Sequence, residues 1–116
     1  MNEAGHQQRA LNIERSLQDL GDPVTHPHNH SVLIECYWGA AFHWIVVGCM
    51  RKHQWHTDSH AGLVGRLKQL GEAQVAADWG QLETLRTGGW YTYQDSLADV
   101  QAAEQCWQRI RSWATS

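Results

Sequence analysis

The chain has 116 residues, a length that fits one globular domain with a single hydrophobic core. Nine Lys and Arg against twelve Asp and Glu give a formal net charge of −3. This balance excludes the broadly basic surface of a protein that coats nucleic acid, although it does not exclude a local basic patch. Hydrophobic residues make up 42% and charged residues 18% of the chain, which also excludes a disordered protein.

The first predicted element is a helix over about residues 3–20. Ala10, Ile13, Leu17 and Leu20 recur at steps of three and four, so they share one helix face. The glycine that follows, residue 21, is expected to end this helix. The next segment contains both prolines of the chain and is predicted to be a loop, because proline lacks the N–H that a helix interior needs.

The second predicted helix spans about residues 30–53, with Asn29 or Ser31 as its N-terminal cap. Its apolar residues lie on all sides, which favours a central position in a bundle. The stretch 32–50 is long enough to cross a bilayer, but it contains Glu35 and a mid-span His43. Because such groups are costly in lipid, we predict a buried helix and no membrane span.

A third helix is predicted over about residues 59–71. The polar residues Thr57, Asp58 and Ser59 stand before it, and any of them can accept the free N–H groups of its first turn. Glycine at position 71 is expected to end the helix.

Two further helices complete the prediction, over about residues 72–87 and 95–114. The pair Gly88-Gly89 is expected to terminate the first of them. Ser96 and Asp99 have the spacing of a capping box at the start of the second. With short connections, these elements predict a single all-α domain over residues 1–116, an antiparallel four- to five-helix up-and-down bundle.

Cysteine usage and the N-terminal sequence bear on the compartment. Cys36, Cys49 and Cys106 form an odd, sparse set with no C-x-x-C pair, which favours reduced thiols in a cytoplasmic protein. The first 22 residues have no apolar core of a signal peptide. No G-x-S-x-G elbow and no phosphate-binding glycine loop is present, so nucleophilic hydrolases and P-loop enzymes lack support, and we expect no cofactor.

Histidines are the first candidates for a metal site. His26, His28 and His30 alternate along the loop, and alternate residues of an extended segment point the same way, so three imidazoles could face one metal ion. The alternative is an exposed polar loop. A fourth ligand is left open among Glu35, His43, His53, His56 and His60.

The seven tryptophans offer either core packing or stacking surfaces for bases. Four of them fall on apolar stripes and are predicted to lie in the core or an interface: Trp38, Trp44, Trp79 and Trp107. The other three lie near loops or the chain end and are the candidates for stacking: Trp55, Trp90 and Trp113.

Three short motifs in residues 29–114 resemble those of the HEPN family (higher eukaryotes and prokaryotes nucleotide-binding). The first is the run W-G-A-A-F-H that ends at His43, and the second is H-A-G, which begins at His60. In the third, Arg86, Tyr91 and Tyr93 match the pattern R-x-x-x-x-H-x-Y of the ribonuclease members, with tyrosine at the histidine position.

The resemblance implies an antiparallel helical bundle that often pairs as a dimer. In the ribonuclease members, Arg and His of two subunits cleave RNA without metal. Tyr91 is a poor base at neutral pH, so the resemblance implies a degraded ribonuclease motif. We therefore expect a homodimer that binds nucleotide or RNA, or a nucleotidyltransferase or toxin-antitoxin partner, with Arg86, Tyr91 and Tyr93 lining a groove at the two-fold axis.

Other interpretations stay open at the level of sequence. The protein could be an active ribonuclease that uses His43 or His60 in place of the missing histidine, or a metal-binding bundle through the loop histidines. Arg86 could instead pair with an acid as part of the scaffold. A second Arg-x-x-x-x-His match, from Arg51 to His56, lies at the end of the second helix and is interpreted as a chance match.

Overall fold

The computed structural model of the chain describes residues 1–92 and 96–116, with side chains described outside residues 89–95. Within these residues the fold is all-α, as predicted, and contains no strand. The helices, with one short 3₁₀ turn (Pro27–Asn29), are α1 (Glu3–Leu20), α2 (His30–His53), α3 (Leu63–Gln69), α4 (Ala73–Thr92) and α5 (Leu97–Thr115).

The central helix is α2, which packs against α1, α4 and α5, while α3 packs against α4. Its buried residues occur on every side, among them Ile34, Ala41, Ile45 and Val46 at 0–1% exposure. The segment Pro27–His53 has the length and apolar composition to cross a membrane, but 67% of its most apolar window is buried inside the fold. The neighbouring helices therefore supply the apolar surroundings that this sequence needs, which confirms the predicted central position.

The ends of α1 and α5 follow the predicted capping chemistry. Gly21 ends α1 with a positive φ of 77°, a conformation that costs glycine little. At the start of α5 the Ser96 side chain accepts from the Asp99 backbone N–H, and the Asp99 carboxylate accepts from the Ser96 N–H. This reciprocal pair confirms the predicted capping box.

The predicted start of α3 is wrong by four residues. The polar residues before it stabilise a turn instead of the helix: the Ser59 N–H donates to Thr57 Oγ1, and the Ala61 N–H donates to Ser59 Oγ. Gly62 then adopts a left-handed φ of 68°, and the helix begins only at Leu63. Asp58 caps nothing, because its carboxylate turns toward α1.

The predicted end of α4 is also wrong, because the helix continues through Gly88 and Gly89 to Thr92. A glycine inside a helix lowers helix stability by only about 1 kcal/mol relative to alanine. The helix can therefore continue through a glycine when the residues around it are stabilised by packing. Of the predicted site residues, Tyr91 falls in the last turn of α4 with its side chain outside the described set, and Tyr93 lies outside the described residues.

One carboxylate bonds to two tryptophans of the bundle. Trp44 is one of them and is 2% exposed. Glu14 Oε2 on α1 accepts from Trp44 Nε1 at 2.6 Å and from Trp107 Nε1 at 2.8 Å, and Arg111 Nε lies 3.2 Å from the same oxygen. This side chain therefore connects α1, α2 and α5 at a single point.

The three cysteines are free thiols. Burial raises the pKa of Cys49 and of Cys106 to about 11. These two thiols therefore stay protonated at neutral pH and are poor nucleophiles.

Candidate functional site

Arg86 lies on α4 opposite the N-terminal half of α2 and is one third exposed. Its Nε donates to Glu35 Oε2 at 2.8 Å and to Oε1 at 3.1 Å. The guanidinium carbon lies 3.8 Å from the ring centre of Trp38, so the cation stacks on the indole. We call Arg86, Glu35 and Trp38 the Arg86 face.

Trp38 connects this face to His60. The His60 ring meets the Trp38 ring edge-on, with centroids 5.1 Å apart, and His60 Nδ1 lies 3.5 Å from Glu83 Oε1. Trp79 stacks on Trp38 at 5.4 Å. One indole therefore contacts both an arginine and a histidine, although the two residues are 26 positions apart in the sequence.

A second group of polar side chains, the histidine cluster, consists of His6, His43, His56 and Asp58. His6 comes from α1 and is 1% exposed, His43 comes from α2, and the other two lie in the segment between α2 and α3. His6 Nδ1 lies 2.9 Å from His43 Nδ1, and its Nε2 lies 3.0 Å from Asp58 Oδ1. His56 Nε2 is 3.2 Å from the same carboxylate oxygen and 3.4 Å from His6 Nε2.

Burial keeps the inner imidazoles neutral. It lowers the pKa of His6, against the opposing effect of the Asp58 hydrogen bond and charge. Burial, helped by the nearby His6 and Arg9, lowers the pKa of His43 to about 4. At neutral pH each ring therefore has one nitrogen that carries a proton and can donate, and one nitrogen whose lone pair can accept.

Asp58 is the negative group of the cluster. Partial desolvation acts to raise its pKa, but the hydrogen bond from the Met1 ammonium and the neighbouring His56 prevail, and the pKa lies below its ordinary value. The Met1 nitrogen is 3.3 Å from each carboxylate oxygen. The carboxylate is therefore ionised at neutral pH and is available as a ligand or counter-ion.

The His26 and His28 rings pack edge-on with centroids 5.9 Å apart, but the three predicted loop histidines do not bring their ligand atoms together. His26 Nδ1 lies 2.9 Å from Thr25 Oγ1, and His30 Nε2 donates to the Pro23 carbonyl at 2.8 Å. Among the described residues, the three side chains whose ligand atoms lie close enough to hold one metal ion are those of His6, His56 and Asp58. Of the histidines weighed as a fourth ligand, His56 alone belongs to this group.

The sequence interpretation missed His6 and assigned Asp58 to a helix cap. His6 lies on an otherwise polar part of α1, one helical turn before Ala10, which is 0% exposed. That spacing places it on the buried face of α1 and was the available signal. Arg51, the other arginine of interest, is 38% exposed and pairs with Glu3 at 3.1 Å.

Comparisons with known proteins do not assign either region. No family model matches the sequence, and neither the curated proteins nor the solved structures contain a significant match. The geometry of the side chains is therefore the basis for the functional proposals that follow.

Proposed function

We propose that the chain is a HEPN-like helical bundle that forms a homodimer and binds nucleotide or RNA through the Arg86 face, with a degraded ribonuclease motif. The observation that carries the proposal is the stacking of the Arg86 guanidinium on Trp38 at 3.8 Å. Stacking holds the guanidinium plane in one orientation before any ligand binds. A guanidinium that is already oriented loses less conformational entropy on pairing with a phosphate than a mobile one does.

The charge arrangement supports binding of moderate strength. Among the described residues, Arg86 donates hydrogen bonds through Nε, and both go to the Glu35 carboxylate. A phosphate would therefore bind the two terminal nitrogens of the guanidinium, while the nearby Glu35 carboxylate would partly repel it. Trp38 is covered by Arg86 and Trp79, so a base would stack on the outer side of the guanidinium and not on the indole.

Dimerisation belongs to the same proposal. Two Arg86 faces across a two-fold axis would bring two guanidinium groups to one groove. One phosphate could then be contacted by both arginines, which a single face cannot offer. A nucleotidyltransferase or a toxin-antitoxin partner is an alternative occupant of this face. The cytoplasmic location is also proposed, because free thiols fit a reducing compartment.

A titration with mononucleotides and with a short single-stranded RNA at low salt tests the binding proposal. We expect measurable binding to the parent protein and at least a tenfold loss in Arg86→Ala. Arg51→Ala is the matched control, since Arg51 is also partly exposed, also pairs with a glutamate and also removes one positive charge. Binding that is absent, or equally weakened in both variants, would overturn the proposal.

A weak ribonuclease is the second candidate, and the shared contact of Arg86 and His60 with Trp38 favours it. His60 would accept the proton of the RNA 2′-hydroxyl as its oxygen attacks phosphorus. The 5′-oxygen would leave with a proton from water, and the product would be a 2′,3′-cyclic phosphate. Arg86 would stabilise the charge that develops on the phosphoryl oxygens.

RNA cleavage in the presence of EDTA tests this second candidate. We expect His60→Ala to abolish any activity, and His43→Ala to retain it because His43 bonds to His6 and belongs to the histidine cluster. Equal activity in the parent protein and in His60→Ala would exclude His60 as the base. The assay is independent of the binding titration, since a binding module without cleavage satisfies the first proposal alone.

A further inference from the structure

We propose that His6, His56 and Asp58 form a binding site for a divalent ion of the zinc class, with His43 as the outer hydrogen-bond partner of His6. The site lies apart from the Arg86 face and does not depend on the function proposed for that face. It joins the first turns of α1 to the segment between α2 and α3.

Three donor atoms define the site. His6 Nε2, His56 Nε2 and Asp58 Oδ1 are separated by 3.0, 3.2 and 3.4 Å. Neighbouring ligands of a tetrahedral zinc ion at 2.0–2.1 Å are about 3.3 Å apart. The triangle therefore has nearly the size of one face of a zinc coordination tetrahedron, and an ion can meet all three atoms with small shifts.

The chemistry of the donors fits the same ion. Two imidazoles and one carboxylate are borderline ligands that suit zinc and its first-row neighbours better than magnesium or calcium, which prefer oxygen ligands alone. Three side chains leave one of the four ligand positions of a tetrahedral zinc ion open. His56 and Asp58 are 39% and 56% exposed, so an ion can enter from solvent and hold a water molecule there.

The buried ligand is orientated by His43. A histidine that binds metal through Nε2 carries its proton on Nδ1 and donates it to an outer acceptor. His6 Nδ1 lies 2.9 Å from His43 Nδ1, so His43 can be that acceptor.

The Met1 ammonium is the competing cation. It lies 3.3 Å from both oxygens of Asp58 on the exposed side of the cluster. An arriving divalent ion would take over the pairing with this carboxylate and displace the exposed ammonium group. Ion binding therefore exchanges a singly charged partner for a doubly charged one.

Calorimetric titration of the untagged, metal-free protein with zinc tests the proposal. We expect one equivalent to bind in the parent protein. His56→Ala and Asp58→Asn should each weaken binding by more than the 10–100-fold that is typical for loss of an outer partner. Both side chains are substantially exposed, so these variants should fold, and circular dichroism verifies that they do.

His28→Ala is the matched control, because His28 is an exposed histidine of the loop outside the cluster. It should bind zinc as the parent protein does. Cobalt(II) gives a second readout: the visible absorption of a tetrahedral ion should appear in the parent protein and disappear in His56→Ala. Zinc binding below one equivalent, or binding that survives His56→Ala and Asp58→Asn, would overturn the site.

Discussion

His6 Nδ1 and His43 Nδ1 lie 2.9 Å apart, so one of these nitrogens donates a proton and the other accepts it. The bond joins α1 to α2 between two half-buried or buried rings, and it requires that at least one ring stay neutral. Protonating both would direct two N–H groups at each other. The contact therefore ties the packing of α1 to the protonation of the cluster.

Acidification should destabilise the metal-free protein through His43. In the unfolded chain its pKa is near 6.5. In the folded protein burial, helped by His6 and Arg9 and opposed by Asp58, lowers the pKa to about 4. Between pH 7 and 5 the unfolded state therefore takes up more protons, and stability falls as the pH falls. After allowance for partial exposure we expect a loss of about 1 kcal/mol.

Thermal unfolding in EDTA at pH 7 and at pH 5 measures this loss. His43→Gln keeps a polar side chain at position 43 but does not titrate, so its pH dependence should be smaller. His28→Gln removes an exposed histidine and should follow the parent protein. A pH dependence that is the same in His43→Gln and the parent protein would contradict the assignment to His43.

Zinc should stabilise the folded protein if the proposed ion site exists. A ligand that binds only the folded state stabilises it by about 2.7 kcal/mol at a free concentration of 100 times Kd. We expect the melting temperature to rise by several degrees with zinc and to return with EDTA. In Asp58→Asn the rise should be lost, and a rise that persists there would place the ion elsewhere.

Glu35→Gln should strengthen the proposed binding of nucleotide or RNA at the Arg86 face. The substitution removes the negative charge that partly neutralises the guanidinium and keeps an oxygen that can accept from Arg86 Nε. We expect Kd to fall about 3–10-fold at low salt, the scale of a partly exposed charge interaction. Glu3→Gln, which removes the corresponding partner of Arg51, is the control and should leave Kd unchanged. Weaker binding in Glu35→Gln would show that the carboxylate positions the arginine for binding.

Loss of the Glu14 carboxylate should destabilise the core. In Glu14→Ala the indole N–H groups of Trp44 and Trp107 lose an acceptor at 2.6 and 2.8 Å, and Arg111 loses its partner. Leaving buried donors unpaired costs about 1–3 kcal/mol each, so we expect a loss on the order of 2–4 kcal/mol. Urea unfolding followed by tryptophan fluorescence measures it, and Glu14→Gln, which keeps an acceptor, should lose less. Equal stability of Glu14→Ala and the parent protein would refute the role of this carboxylate.

Two glycines should respond in opposite directions to alanine. A Cβ at Gly48 on α2 would overlap the Trp113 ring on α5, and overpacking of this kind costs about 1–3 kcal/mol. Gly65 lies inside α3 with open space around it, so alanine there should stabilise by about 0.5–1 kcal/mol. Urea unfolding of the two variants measures both changes in the free energy of unfolding. An unchanged free energy in Gly48→Ala would mean that α2 and α5 can move apart at this contact with little cost.

Much of the fold could be predicted from the sequence because local chemistry sets it. Periodic apolar residues placed α1 and α2 at their observed bounds, and the Ser96 capping box marked the start of α5. The errors arose where local signals competed with packing. Gly88 and Gly89 were expected to end α4, but the helix continues, and the residues that were expected to cap α3 stabilise a turn before Gly62 instead.

The candidate sites could be predicted only in part. Arg86 was selected by its motif, and its role in binding stays a prediction. The alternative that it pairs with an acid is observed, but the partner, Glu35, lies 51 residues away and follows from the packing of α4 on α2. His6 carried no motif at all, and its partners are 37 to 52 positions distant. The spacing of residues in a motif does not indicate which side chains of different helices come into contact. Those contacts form only when the helices pack.

The sequence by itself determined that the chain is helical and that the helix over residues 30–53 is central, because helix periodicity and apolar content act within a few turns of the chain. Tertiary packing alone decided which histidines meet. The three histidines of the loop do not share a metal site, whereas His6 and His56 meet at Asp58, although His6 comes from a distant segment of the chain. Burying the inner face of α1 against α2 carried His6 into the protein, where a neutral imidazole needs polar partners and finds them in His43 and Asp58.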